Sequence, residues 1–357
     1  MNGFQRVCHS EQSLWLNNVT RRSLQDGGLR RHLKVWSITG VAINPSTVLE
    51  SLNSNHLYAS DIERNLGDGV YGEALARELI VEDVRFAADQ LRHVYERTSG
   101  VDGWVTLPIW PLSVDNIEML PKVVAEMYSQ LKRPNVLITI PGCDHMLAAI
   151  EEITSAGIPL NTGPVFTPHH LIKVTEAYLK GIEKRIAQGL VPSVCFVSGC
   201  ITKTVTACRE ELVEEQAIHA TILLSKEMYK VLRRIHASQR WERAYIKGVR
   251  PLRLVWSAQD GVLENGVEEM IFSQLIAPFA IMSLSEEGMQ RYLNINEPLQ
   301  LVTDDDQTLK SRVEAILNKK SENLQEGEVG RRVRKWIDFL DTVARKSAEV
   351  MQMKKEF

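Results

Sequence analysis

Two kinds of apolar patterning alternate along this chain. In the first, apolar residues run together for five to seven positions, over residues 35–41, 101–107, 136–140, 160–166, 193–198, 253–257 and 277–282. Runs this short, bounded by turn residues, read as strands. In the second, apolar residues recur at three- and four-residue spacing over residues 73–98, 116–132, 145–156, 169–188, 208–238, 308–318 and 328–354. That spacing predicts amphipathic helices. Pro108 and Pro141-Gly142 stop two of the strands. Lys132 and Arg133 close a helix where its dipole favours cations, and Gly157 is placed to cap another.

Repeated strand–helix units with apolar strands imply a parallel sheet clad in helices. About eight such units predict an α/β fold of the closed (β/α)8 TIM-barrel kind, with additional C-terminal helices. One domain is expected over residues 1–357, with 308–357 as a helical extension. No internal repeat or low-complexity linker divides it.

Composition narrows the partner. The chain is 44% hydrophobic and 24% charged, ordinary for a soluble globular protein. Its 42 Lys and Arg against 45 Asp and Glu give a net charge of -3, which argues against nucleic acid. No apolar stretch is long enough for a membrane span, and the segment MNGFQRVCHSEQSLWLNN lacks the apolar core of a signal peptide. Cys8, Cys143, Cys195, Cys200 and Cys208 form no CxxC pair, and their odd number predicts a reducing, cytoplasmic setting. The expected partner is a small-molecule substrate, with no cofactor, no metal, no membrane and no nucleic acid. Nothing in the pattern fixes an oligomeric state.

Several residues carry candidate chemistry. Cys143-Asp144-His145 follows a strand on the end where barrel enzymes keep their sites. Asp144 and His145 read either as an acid/base pair or as a helix N-cap beside a surface imidazole. His169-His170 points to two helix faces, and no HxxxH or HxH spacing supports a metal. Asp304-Asp305-Asp306 reads as a solvated helix start or a cation-binding run. Cys195 and Cys200 flank a strand as core thiols or nucleophiles, and Lys203 just beyond reads as a loop lysine or an amine serving the site. Trp15, Trp104 and Trp256 are expected in the core.

A series of blocks, in one order over most of the chain, resembles the transaldolase family. Trp15-Leu16-Asn17-Asn18-Val19-Thr20-Arg21 is similar to that family's WLDNLTR pattern, and Gly40-Val41-Ala42-Ile43-Asn44-Pro45-Ser46 to GVTSNPT. Residues 133–142 resemble RPNVMIKVPG, 157–166 resemble GINVNVTLIF, Phe196-Val197-Ser198 resembles FFVSR, and 250–256 resemble RPQRLLW. The resemblance implies a barrel whose fourth-strand lysine forms a Schiff base with a sugar ketone. At that position this chain has Thr139, and a hydroxyl cannot form an imine.

The other implied positions depart in the same direction. Asn17 stands where the resemblance implies an acid/base aspartate, and Pro108 where it implies a glutamate. Ala42 and Ile43 replace a polar pair, Gly163 a threonine, Val194 a serine and Gly199 a phosphate-binding arginine. Asn44 and Phe196 persist. The expected chemistry-bearing residues are therefore Thr139, Asn17, Asp144 and His145. Asn44, Pro108, Trp110, Asn161, Phe166, Phe196 and Ser198 are expected to line the substrate.

Losing lysine, aspartate, glutamate, threonine and arginine together predicts a mouth that is less charged and shaped by Trp110, Pro108, Pro164 and Phe166. Three functions fit. One is an enzyme repurposed for a less polar small organic substrate, by cyclisation, isomerisation or rearrangement without a Schiff base, in specialised metabolism. Another is a non-catalytic binding or scaffold protein with a filled mouth. The last is a transaldolase using a relocated lysine such as Lys203.

Overall fold

The structure is a computed structural model that describes residues 10–54, 57–110, 117–258, 263–264, 266–294 and 307–353. Cys8 and the acidic run at 304–306 lie outside the described residues. Eight parallel strands close into one barrel in sequence order, as the strand–helix alternation predicts. They are β1 (Ser13–Leu16), β2 (Ile38–Ala42), β3 (Trp104–Pro108), β4 (Val136–Ile140), β5 (Leu160–Thr162), β6 (Cys195–Cys200), β7 (Arg253–Ser257) and β8 (Ile281–Leu284).

Helices clad the barrel. Between β1 and β2 come α1 (Arg21–Gln25) and α2 (Gly28–Val35). α3 (Pro45–Ser54), α4 (Ala59–Gly67) and α5 (Gly72–Arg97) lead to β3, and α6 (Leu120–Leu131), α7 (Leu147–Ala156) and α8 (Pro168–Ala187) alternate with the next strands. Then follow α9 (Ile201–Arg209), α10 (Glu214–His236), α11 (Gln239–Ile246), α12 (Val267–Gln274), α13 (Glu286–Leu293) and α14 (Gln307–Met353).

The boundaries differ from the sequence reading for local reasons. β1 is too short to stand out as a run. Val35 ends α2 and is exposed, so β2 begins only at Ile38. β5 stops at Thr162 because Pro164 has no N–H to extend the ladder. The two C-terminal helices expected at 308–318 and 328–354 are one helix of 47 residues, despite Gly327 and Gly330. At 1.5 Å per residue it is about 70 Å long, enough to cross the whole barrel.

Both ends of α14 are packed. Its first part buries Val313, Ile316 and Leu317 against Ala207, Cys208 and Leu224 of α9 and α10. Its second part seats Trp336 against Trp110, with ring centroids 5.5 Å apart, and against Phe339 at 5.4 Å. Arg345 donates to Asn53 Oδ1 of α3 at 3.0 Å. The helix thus straps α9 and α10 on one side to α3, α4 and α5 on the other. Tertiary packing at two anchors carries it through the glycines.

Inside the barrel, side chains alternate strictly inward and outward with the period of two that strands impose. Counting inward residues from the N-terminal end gives three layers. The floor holds Ser13, Asp102 and Arg253: Arg253 Nη1 lies 2.9 Å from Asp102 Oδ1, and Nη2 donates to Ser13 Oγ at 2.6 Å. Two residues further along each strand come Trp15, Trp104, Leu137, Phe196, Val255 and Ile281, a closed apolar layer. Two residues further again come Asn17, Thr106, Thr139, Asn161, Ser198, Ser257 and Ser283, which face a cavity.

Candidate functional site at the barrel mouth

The cavity lies at the C-terminal end of the strands and holds about 520 Å³. Its walls are the third layer, whose groups are all neutral amides and hydroxyls. Three of them form a chain across adjacent strands. Ser198 Oγ donates to Asn161 Oδ1 at 2.8 Å, and Asn161 Nδ2 donates to Thr139 Oγ1 at 3.1 Å. Register sets this up, since Thr139 pairs with Asn161 and Asn161 with Phe196, two residues below Ser198. Because Thr139 accepts from Asn161, its own hydroxyl proton is left to donate.

Asn17 is held differently. Ser283 Oγ donates to its Oδ1 at 2.6 Å, and its Nδ2 donates to the carbonyls of Ser283 and Ala258 at 3.1 and 3.4 Å. Both N–H groups are committed, so Asn17 offers a ligand only the remaining lone pair on Oδ1. Asn44 also lines the cavity, its Nδ2 donating to Asn18 Oδ1 at 3.3 Å. Pro108, at the end of β3 and paired in register with Thr139, supplies an apolar edge with Ile43 and Pro164.

Gly163, in the cavity lining, and Gly199, on the opposite face of β6, are matters of space. A Cβ on Gly163, whose φ is +156°, would stand 2.5 Å from the Ser198 carbonyl oxygen. A Cβ on Gly199 would stand 2.8 Å from the Trp256 ring. With this backbone, neither the threonine implied at 163 nor the arginine implied at 199 has room.

Other expected site residues lie elsewhere. Trp110 is buried under α14 against Trp336, with Arg77 over its ring, and does not line the cavity. Its indole is the seat of the C-terminal helix, which turns it away from the mouth. Phe166 is fully buried outside the cavity lining. Phe196 belongs to the apolar layer beneath and packs on Trp15 and Trp104 at 5.6 and 5.9 Å. The less polar mouth expected from Trp110 and Phe166 is therefore not what the geometry gives.

Asp144 and His145 also sit outside the cavity. They open the 3-10 turn Asp144–Met146 on the protein surface. Asp144 Oδ2 lies 2.5 Å from Lys173 Nζ, and its Oδ1 is 3.2 Å from His170 Nε2, in ion-pair range. The Lys173 hydrogen bond, against a smaller desolvation cost, holds the Asp144 carboxyl below its usual range. Burial first, against the pull of Asp144, pushes the His170 imidazole down. His145 Nε2 instead contacts Cys143 Sγ at 3.1 Å. Burial raises the Cys143 thiol to about 11 and Cys195 to about 12, so both are protonated core thiols near neutral pH.

Lys203, read from the sequence as a loop lysine or an amine serving the site, lies in the first turn of α9 and lines the cavity. Sequence reasoning passed over Arg331, Arg332 and Lys335 of α14, which line it too. One signal was present: Arg332 and Trp336 are one helical turn apart, so the apolar stripe that docks α14 brings basic residues beside it. Glu50 of α3 also lines the cavity. Among the described residues no cluster of His, Cys, Asp and Glu is arranged to hold a metal, and no helix is long and apolar enough to cross a membrane.

Comparison with known proteins is consistent with this geometry. The description Transaldolase/Fructose-6-phosphate aldolase matches residues 14–259 of this chain, from β1 to just past β7. Transaldolase 2 of Nostoc sp. (strain PCC 7120 / SAG 25.82 / UTEX 2576) is 28% identical over 302 residues, covering 80% of this chain and 79% of the relative. The transaldolase of Thermobifida fusca (strain YX) is 25% identical over 362 residues, covering 96% and 98%. Transaldolase 2 of Streptomyces coelicolor (strain ATCC BAA-471 / A3(2) / M145) is 27% identical over 295 residues, covering 80% and 79%.

Proposed function

This chain belongs to the Transaldolase/Fructose-6-phosphate aldolase family, and from that premise we propose that its barrel mouth is an enzyme site that works without an imine at position 139. The observation that carries the reading is the Ser198–Asn161–Thr139 chain, which holds a neutral hydroxyl in fixed geometry facing the cavity. Such a hydroxyl can donate to a ligand carbonyl or hydroxyl but cannot become a carbinolamine nitrogen. The wall layer contains no acid, base or amine of its own. A site of this kind suits a substrate whose reacting ends are brought together by shape, in a cyclisation, isomerisation or rearrangement.

The proposed roles follow the hydrogen bonds. Thr139 orients the ligand, Asn161 and Ser198 fix the direction of Thr139, and Asn17 with Ser283 shapes the opposite wall. Pro108, Ile43 and Asn44 form the rim. Asp144 and His145, on the surface turn after β4, do not face a ligand in the cavity. A scaffold protein would be expected to fill its mouth, and an open cavity of about 520 Å³ beside Thr139 favours an enzyme.

One observation keeps a second reading in play: Lys203 and Lys335 both line the cavity, and either amine is chemically able to form an imine. Borohydride trapping separates the two. With fructose 6-phosphate and borohydride the expected mass change is none. A covalent adduct mapped to Lys203 or Lys335 would replace the first reading with a transaldolase that uses a relocated lysine. Thr139→Lys in the same assay is expected to give little turnover, since Asn17 and Pro108 supply no proton-transfer group.

A further inference from the structure

The charge at this site comes from its roof. Lys203 stands on one side of the cavity, and Arg331, Arg332 and Lys335 reach it from α14; among the described residues these four cations face one lining carboxylate, that of Glu50. Arg331 and Lys335 are one turn apart and share a face of the helix. Trp336, adjacent to Lys335 and locked between Trp110 and Phe339, fixes the rotation of α14 and hence which face looks down. On the Lys203 side, α9 begins beside the cavity with Cys200 as N-cap, whose side chain makes no capping bond. The partial positive charge of that helix end adds to the lysine.

We infer that Arg331, Arg332, Lys335 and Lys203 form a clamp for a multiply charged oxyanionic group on the ligand, and that α14 is therefore part of the binding site and not only a cover. The inference rests on the mouth being the ligand site. The neutral remainder of the ligand lies against Thr139, Asn161 and Ser198, and its anionic end lies under the roof. Like charges gathered at one cavity repel one another, and a bound dianion relieves that repulsion more than a monocarboxylate does. The wall layer supplies no such grip, since its groups are neutral amides and hydroxyls. An arginine fork or a lysine on the helix overhead supplies the same chemistry from the other side.

The test is calorimetric titration of the full-length protein with inorganic pyrophosphate, and with succinate as a dicarboxylate comparison. Saturable pyrophosphate binding that weakens with added salt, and exceeds succinate binding, is expected. The triple variant Arg331→Gln/Arg332→Gln/Lys335→Gln should lose at least about tenfold in affinity, since each charged hydrogen bond is worth roughly that factor. Its melting temperature should not change, because these side chains are outside the core. Arg345→Gln/Lys346→Gln, on the same helix beyond the cavity, should bind like the wild type. No saturable binding by the wild type, or equal affinity in the triple variant, overturns the clamp. Tighter binding of succinate overturns the assignment to a phosphate-like group. A borohydride adduct on Lys203 or Lys335 overturns the imine-free reading and takes that lysine out of the clamp, whereas pyrophosphate titration of Arg331→Gln/Arg332→Gln still tests the arginines, so the two failures are distinguishable.

Discussion

The two polar layers inside the barrel, four residues apart along each strand, are built on opposite principles. The floor is charged and closed: Arg253 is paired with Asp102, bonded to Ser13, and also donates to the carbonyls of Phe279 and Val101 at 2.8 Å. The third layer at the mouth is neutral and faces open space, and Thr139, which accepts from Asn161, keeps its hydroxyl proton to donate. An ion pair sealed beneath an apolar layer can serve only stability and specificity of packing. A neutral wall facing a cavity gives up that stabilisation in exchange for room to receive a ligand. The apolar layer of Trp15, Trp104 and Phe196 insulates one end from the other.

This contrast can be broken by substitution. Arg253→Ala leaves a largely buried Asp102 without its partner and should cost about 4 kcal/mol in urea denaturation, with no specific effect on ligand binding at the mouth. A cost below about 1 kcal/mol would mean that the floor pair is decorative. Trp336→Ala removes the indole seated on Trp110 and should cost about 3 kcal/mol. Hydrogen exchange would then rise along α14 before it rises in the barrel strands. Uniform loss of protection would show instead that roof and barrel are one cooperative unit.

Smaller effects sharpen the comparison. Burial, with a smaller push from Arg233, lowers the His236 imidazole from its usual 6.5 to about 4. The unfolded chain therefore binds this proton first as pH falls. Stability from the neutral ring is fully present above pH 6.5 and is lost as pH drops towards 4, by about 1–2 kcal/mol after allowing for partial exposure. His236→Gln should flatten that slope, and an unchanged slope would assign the acid limb to other groups. At the mouth, Thr139→Val removes one acceptor from Asn161 and should cost only about 1 kcal/mol in thermal or urea unfolding. A loss as large as that of Arg253→Ala would place Thr139 with the structural residues.

The barrel itself was legible in the sequence because its strands are apolar runs and its helices amphipathic, a signal that depends on burial alone. The resemblance added order and register, which bring Asn17, Pro108, Thr139 and Asn161 to one cavity. What stayed hidden depended on contacts between distant segments. Trp110 is an aromatic residue just past a strand end, and only the position of Trp336 decides that it serves the roof. Arg331, Arg332 and Lys335 belong to a charged helix with weak periodicity, and the one local signal, Arg332 a turn from Trp336, marks them as flanking the docking stripe without saying that this face meets a cavity. Asp144 and His145 follow β4, but their turn ends on the surface, where Lys173 claims the carboxylate. Residues adjacent to a strand end are not thereby adjacent to the cavity.

Gly199 and Trp256 give the site a ratchet. Placing a long side chain at position 199, on the outer face of β6, needs two coordinated changes, one to add the side chain and one to shrink the indole that occupies its path. Each change alone is harmful: the first collides with a buried ring, and the second hollows the packing outside β7. A laboratory attempt to reinstall sugar-phosphate chemistry one substitution at a time would therefore stall at this step, and a library that varies positions 199 and 256 jointly is the shorter route.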